Sequence, residues 1–203
     1  VGIAVFPDNG LTISELIKNA DIAMYNAKNS GKNSYRFFNS YMEDDVNRKN
    51  DLVEILAHVI EKNEIYLQYQ PQVNVESGLV TGFEALMRIE SELVGFISPA
   101  EFIPIAEESG LINSLGEWAL IEACNFNQVL IKSGFGPLRV SVNVSTTQLK
   151  DSHLIEVIRS IPEKTGMNLE YLEIEITESV LMKSSEHDPT LMITTKEAGC
   201  SIP

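Results

Sequence analysis

Apolar residues change period several times along the chain, and each change marks an element. VGIAVFP is a short apolar run closed by Pro7, and PDNG is a turn cluster. Thr12 or Ser14 can then cap a helix carrying Leu16, Ile17, Ala20, Ala23, Met24 and Ala27 at helical spacing, ended by Gly31 and followed by the aromatic strand SYRFF. Strand, helix and strand are too small for a core of their own, so residues 1–38 are expected to be the tail of a domain whose body lies upstream. Residues 39–62 are charged and helical, with Val46, Leu52, Val53, Leu56, Val59 and Ile60 on one side, which suits a helix joining two domains.

The second domain is placed at 63–203. EIYLQYQPQVNV alternates Ile65, Leu67, Tyr69, Pro71 and Val73 against Tyr66, Gln68, Gln70 and Gln72; ESG makes a turn, and GFEALMRIE returns, which predicts a hairpin. Helical stretches at about 98–108 and 114–133 lead to LRVSVNVS, one near 151–164 leads to YLEIEITE, and one near 187–198 leads to CSIP. Strands separated by amphipathic helices imply an α/β fold with parallel strands, either a barrel or an open sheet.

The polar half of each strand carries the candidate chemistry. In GFEALMRIE, Phe83, Ala85, Met87 and Ile89 alternate with Glu84, Leu86, Arg88 and Glu90, so Glu84 and Arg88 share a face. In LRVSVNVS, Val140, Val142 and Val144 oppose Arg139, Ser141, Asn143 and Ser145; in YLEIEITE, Leu172, Ile174 and Ile176 oppose Glu173, Glu175 and Thr177. If outer helices cover the apolar faces, the polar faces point into a barrel. Glu84, Asn143 and Glu175 then converge, with Asn143 and Glu175 late in their strands toward the carboxyl end, an oxygen-rich set suited to Mg²⁺ or Mn²⁺. The alternative is a half-exposed antiparallel sheet with its polar side in water. Arg88 is correspondingly either a surface residue or a bidentate clamp for phosphate.

Charge narrows the partners. Fifteen basic against 29 acidic residues leave a net charge of −14, a field that repels nucleic-acid polymers and anionic membranes. No apolar run approaches the roughly 18 residues of a membrane-spanning helix. Cys124 and Cys200 lie far apart, outside any CxxC spacing, and His58, His153 and His187 form no ligand motif; a reducing, cytoplasmic setting is expected. At 44% hydrophobic and 22% charged residues, the 203-residue chain is expected to be globular and soluble.

Taken together, YQP at 69–71, GFEAL at 82–86, Arg88, SPAEFIPIAEESGLI at 98–112, VNVSTTQL at 142–149 and LEIEITES at 172–179 resemble the EAL family of cyclic di-GMP phosphodiesterases, over roughly residues 52–200. Residues 1–38, through NADIAMYNAKNSGKNSYRFF, resemble the C-terminal end of a GGDEF-type diguanylate cyclase domain. The first resemblance implies a modified (βα)8 TIM-like barrel, opened by an antiparallel strand and incomplete here. Its implied reaction cuts cyclic di-GMP to linear pGpG with two divalent ions, Mg²⁺ or Mn²⁺. Glu84, Asn143 and Glu175 match metal ligands, Glu178 matches a residue steadying a loop near the metals, and Arg88 and Gln70 match contacts to substrate. Family members usually follow the arginine with Trp and a His-Pro turn, where this chain has Ile89, Ser91 and Glu92. They also carry a DDFG strand, a lysine and a further glutamate beyond the equivalent of CSIP; with a barrel taking roughly 250 residues, the fragment alone is expected neither to close nor to catalyse. Lys28 and Lys32 match positions near the cyclase nucleotide, or form a solvated face. The family often forms EAL dimers and carries upstream sensor or membrane-bound segments. Degenerate members act instead as cyclic di-GMP receptors or interaction modules, and an α/β scaffold without ligand is the third alternative.

Overall fold

The computed structural model describes residues 1–29, 31, 33–149 and 151–176, and they fall into two compact units divided between Glu54 and Ile55. In the first, strands β1 (Gly2–Ile3) and β2 (Arg36–Phe37) pair in parallel, and helix α1 (Ile13–Asn29) joins them. Thr12 is the cap: its hydroxyl accepts from the Glu15 amide at 3.2 Å, while the Glu15 carboxylate accepts from the Leu11 and Thr12 amides at 2.7 and 3.1 Å. This reciprocal box satisfies amides that a helix start leaves open. Gly2 is required by space, since a Cβ there would lie 1.9 Å from the Ala20 carbonyl oxygen. Helix α2 (Ser40–His58) begins in this unit, where Lys18 pairs with Glu43 at 2.6 Å, and its Ile55 and Leu56 are buried in the second.

The second unit is a mixed sheet of order β3-β4-β6-β7 with β5 against one end of β4. Strands β3 (Ile65–Val73) and β4 (Val80–Ser91) form the expected hairpin, from Ile65 opposite Ile89 to Gln72 opposite Gly82. The turn is built on Asn74, whose side-chain oxygen accepts from the Glu76 and Ser77 amides at 3.1 and 2.9 Å. Pro71 is tolerated because β3 ends the sheet order among the described residues, so its missing N–H breaks no interior ladder there. Strand β5 (Gly95–Ile97) folds back antiparallel on β4, an element that the sequence pattern did not predict. Glu64 secures this corner: its buried carboxylate accepts from the Ser91 hydroxyl at 3.1 Å and the Glu92 amide at 2.8 Å.

Helices α3 (Pro99–Ser109) and α4 (Ile112–Lys132) lead to β6 (Arg139–Val144), parallel to β4; α5 (Thr146–Leu149), α6 (His153–Thr165) and a 3₁₀ turn at Leu169–Tyr171 lead to β7 (Leu172–Ile176), parallel to β6. The apolar strand residues Val140, Val142, Val144, Leu172 and Ile174 pack with Leu120 and Ala123 of α4 and Val157, Ile158 and Ile161 of α6. Tyr69 of β3 stacks on Phe126 of α4, ring centroids 3.6 Å apart. Burying this face stabilises the unit by roughly 1.5–3 kcal/mol for each large apolar side chain removed from water. The expected helix near 187–198 and the CSIP strand lie outside the described residues. No described helix is long and apolar enough to cross a membrane.

An antiparallel first strand followed by parallel strands with outer helices is a (βα)8-type arrangement, incomplete as described. Its opposite, polar face is not simply wet: Ser141 is 0% and Glu173 7% exposed. The half-exposed antiparallel sheet considered from the sequence is therefore set aside, because β4, β6 and β7 are parallel and part of their polar face is closed to water.

Candidate active site

Strand register decides which polar side chains meet. Glu84 of β4 stands beside Ser141 of β6, and Asn143 of β6 stands beside Glu175 of β7. The Asn143 amide nitrogen donates to Glu84 Oε1 at 2.7 Å, which joins two of the three residues expected to hold metal. The third, Glu175, is close enough for the Glu84 charge to act on it. Burial first, and then the charges of Glu84 and Glu173, hold the Glu175 carboxyl above its ordinary range, against hydrogen bonds from Ser141 and Gln72. Among the described residues, no group of three or more His, Cys, Asp or Glu side chains forms a metal cluster; the convergent set is two carboxylates and an amide.

Gln70 lies opposite Glu84 on β3, so both project to the same side of the sheet, and Gln70 is exposed. Arg88 is half-buried and oriented by two acceptors, donating from Nε to Gln68 Oε1 and from Nη1 to the Met87 carbonyl, each at 2.8 Å. A cavity of about 240 Å³ adjoins it, bounded among others by Leu86, Arg88, Ile103, Asn143, Ser145 and Gln148. Glu178 and Lys32 lie outside the described residues. Lys28 lies in the last turn of α1, in the first unit.

Several partners were missed. Gln72 donates from Nε2 to Ser141 Oγ at 3.1 Å and to Glu175 Oε1 at 3.4 Å, and Arg139 pairs with Glu173 at 3.1 Å. The signal for Gln72 was its place two residues beyond Gln70, on the same strand face. Two residues after Asn143, the Ser145 amide donates to Gln148 Oε1 at 3.1 Å and the Gln148 amide donates to Ser145 Oγ at 3.4 Å. S-T-T-Q is a readable capping box, and it holds the loop that follows a site residue.

The geometry defines an α/β barrel-type domain whose sheet interior gathers carboxylates and amides near a half-buried arginine. Residues 53–203 match the EAL domain family, and the chain belongs to it; residues 1–34 match the diguanylate cyclase, GGDEF domain family. An uncharacterized signaling protein of Caulobacter vibrioides is 42% identical over 183 residues, covering 90% of this chain and 22% of its own length. The bifunctional diguanylate cyclase/cyclic di-GMP phosphodiesterase MucR of Pseudomonas aeruginosa is 35% identical over 202 residues, covering 100% of this chain and 30% of its own. The chain thus spans less than a third of each of these relatives. The solved PaMucR phosphodiesterase in complex with c-di-GMP superimposes with a TM-score of 0.70 at 31% identity, covering 75% of this chain and 62% of that one.

Proposed function

We propose that this chain is part of a metal-dependent phosphodiesterase that hydrolyses cyclic di-GMP to linear pGpG in bacterial second-messenger signalling. The observation that carries the reading is the Asn143–Glu84 hydrogen bond beside Glu175, within a domain of the EAL family. The donor chemistry fits a hard cation. Asn143 meets Glu84 through its nitrogen, which leaves its oxygen as the group to offer a cation, and Glu175 carries a charge that its like-charged neighbours oppose. Glu84, Asn143 and Glu175 would hold Mg²⁺ or Mn²⁺, which when bound lowers the pKa of a water and offsets charge on phosphoryl oxygens.

The remaining residues bind and orient. Arg88 is assigned to a substrate phosphate, and its two acceptors set the guanidinium plane before ligand arrives. Gln70 is assigned to the nucleotide, and Glu178, by its place in EITES, to steadying the loop beside the metal ligands. MucR, matched along the whole of this chain, supports cyclic di-GMP as substrate. The same reading includes a cytoplasmic location, pairing of EAL domains as a homodimer and a sensory segment upstream.

The test is incubation of the intact protein with cyclic di-GMP and Mg²⁺ or Mn²⁺, with pGpG followed by chromatography. Product is expected from the native protein and a near-complete loss from Glu84→Ala. Equal turnover in the two refutes the metal-ligand assignment, and tight binding with no product would replace the enzyme by a receptor.

A further inference from the structure

The Gln72 side chain links three strands. It starts on β3 opposite Gly82, and its amide nitrogen lies 3.1 Å from Ser141 Oγ on β6 and 3.4 Å from Glu175 Oε1 on β7. To do so it passes over β4 at Gly82, the position opposite it that has no side chain. A Cβ on Gly82 would sit 3.1 Å from Gln72 Oε1 and 2.8 Å from the Arg139 carbonyl oxygen. Ser141, fully buried, also faces Glu173, which Arg139 neutralises in part. The amide therefore reaches the one interior carboxylate that also stands in register with Asn143.

We infer that Gln72 is a positioning residue for Glu175: it reaches across Gly82 and fixes the carboxylate in the orientation in which Glu175 and Asn143 act together. This rests on the metal-dependent reading above. Residues that orient a ligand from behind typically change metal affinity or activity by about 10–100-fold when replaced. Gln72→Met keeps the length and bulk and removes the donor; Gln72→Asn keeps the donor and shortens the reach, and serves where the methionine variant does not fold.

The experiment measures Mn²⁺ binding by calorimetry, and kcat and KM for cyclic di-GMP, in the intact protein and each variant. Expected are a Mn²⁺ affinity lower by about 10–100-fold and a lower kcat with unchanged KM, at unaltered circular dichroism. Variants that bind Mn²⁺ and turn over like the native protein overturn the assignment. If the native protein itself neither binds Mn²⁺ nor cleaves cyclic di-GMP, the functional reading fails, and a crystal structure of Gln72→Met decides the positioning alone. A Glu175 carboxylate that turns away from Asn143 sustains it, and one that stays in place refutes it.

Discussion

Substituting Gly82 by alanine tests whether the sheet interior is as closely built as it looks. The residue lies in ordinary extended strand, so the issue is room: an added Cβ meets the Arg139 carbonyl oxygen at 2.8 Å, the Gln72 side-chain oxygen at 3.1 Å and the Arg139 Cβ at 3.2 Å. The nearest of these is backbone of the neighbouring strand and cannot swing aside. Overpacking of this kind costs about 1–3 kcal/mol. Alanine recovers about 0.5–1 kcal/mol because glycine loses more chain freedom on folding. A net loss of about 1–2 kcal/mol remains, which lowers Tm by about 2–8 °C in a domain of this size. Thermal melts followed by circular dichroism measure it. Combining Gly82→Ala with Gln72→Ala removes the contact at 3.1 Å but not that at 2.8 Å, so the double variant should fall short of the summed losses by about 0.5–1 kcal/mol. A Tm equal to or above the native value in Gly82→Ala would refute the packing argument.

Two further outcomes follow from charge. The Glu175 carboxyl is raised above 4.5, so the stability associated with its protonated form is present below that value and is lost as pH rises through the raised one. Glu175→Gln should therefore melt higher than the native metal-free protein at neutral pH and alike near about pH 4; a lower Tm at neutral pH would contradict the electrostatic account. His153 is raised above 6.5, first by its hydrogen bond to Glu117 on α4 and then by Glu156, with Lys164 also paired to Glu117 at 3.2 Å. Its contribution is complete below 6.5 and is lost as pH rises through the raised value, so His153→Gln should lower Tm slightly at about pH 5.5 and not at about pH 9. The exposure of the pair keeps the effect small, and a gap that widens with pH would oppose it.

The parts of this fold written in periodicity were legible in the sequence. The alternation in GFEALMRIE, LRVSVNVS and YLEIEITE placed Ala85, Val142 and Ile174 in the core, and helical spacing located α3, α4 and α6 within a few residues. What escaped reading depends on neighbours distant in sequence. The three residues of β5 carry no period and are a strand only because the end of β4 offers a ladder. The burial of Ser141 and Glu173 follows from strand order, and the reach of Gln72 crosses a position without a side chain in a different strand. Arg88 shares a face with Glu84, as its spacing required, but the antiparallel partner supplied its acceptor, Gln68. Spacing can say which residues look the same way; it does not say what stands opposite.

The reversed direction of β3 has a topological consequence. In a barrel made only of parallel strands, the polypeptide enters from the floor, away from the rim where such folds place their chemistry. Here Ile65 begins its strand opposite Ile89, and Tyr66 stands opposite Arg88, so the chain enters at the rim itself. Glu64, the last residue before that strand, grips Ser91 and Glu92 just beyond Arg88. A pull on the incoming polypeptide would be felt within one residue of the loop that follows Arg88, without having to travel through the body of the domain.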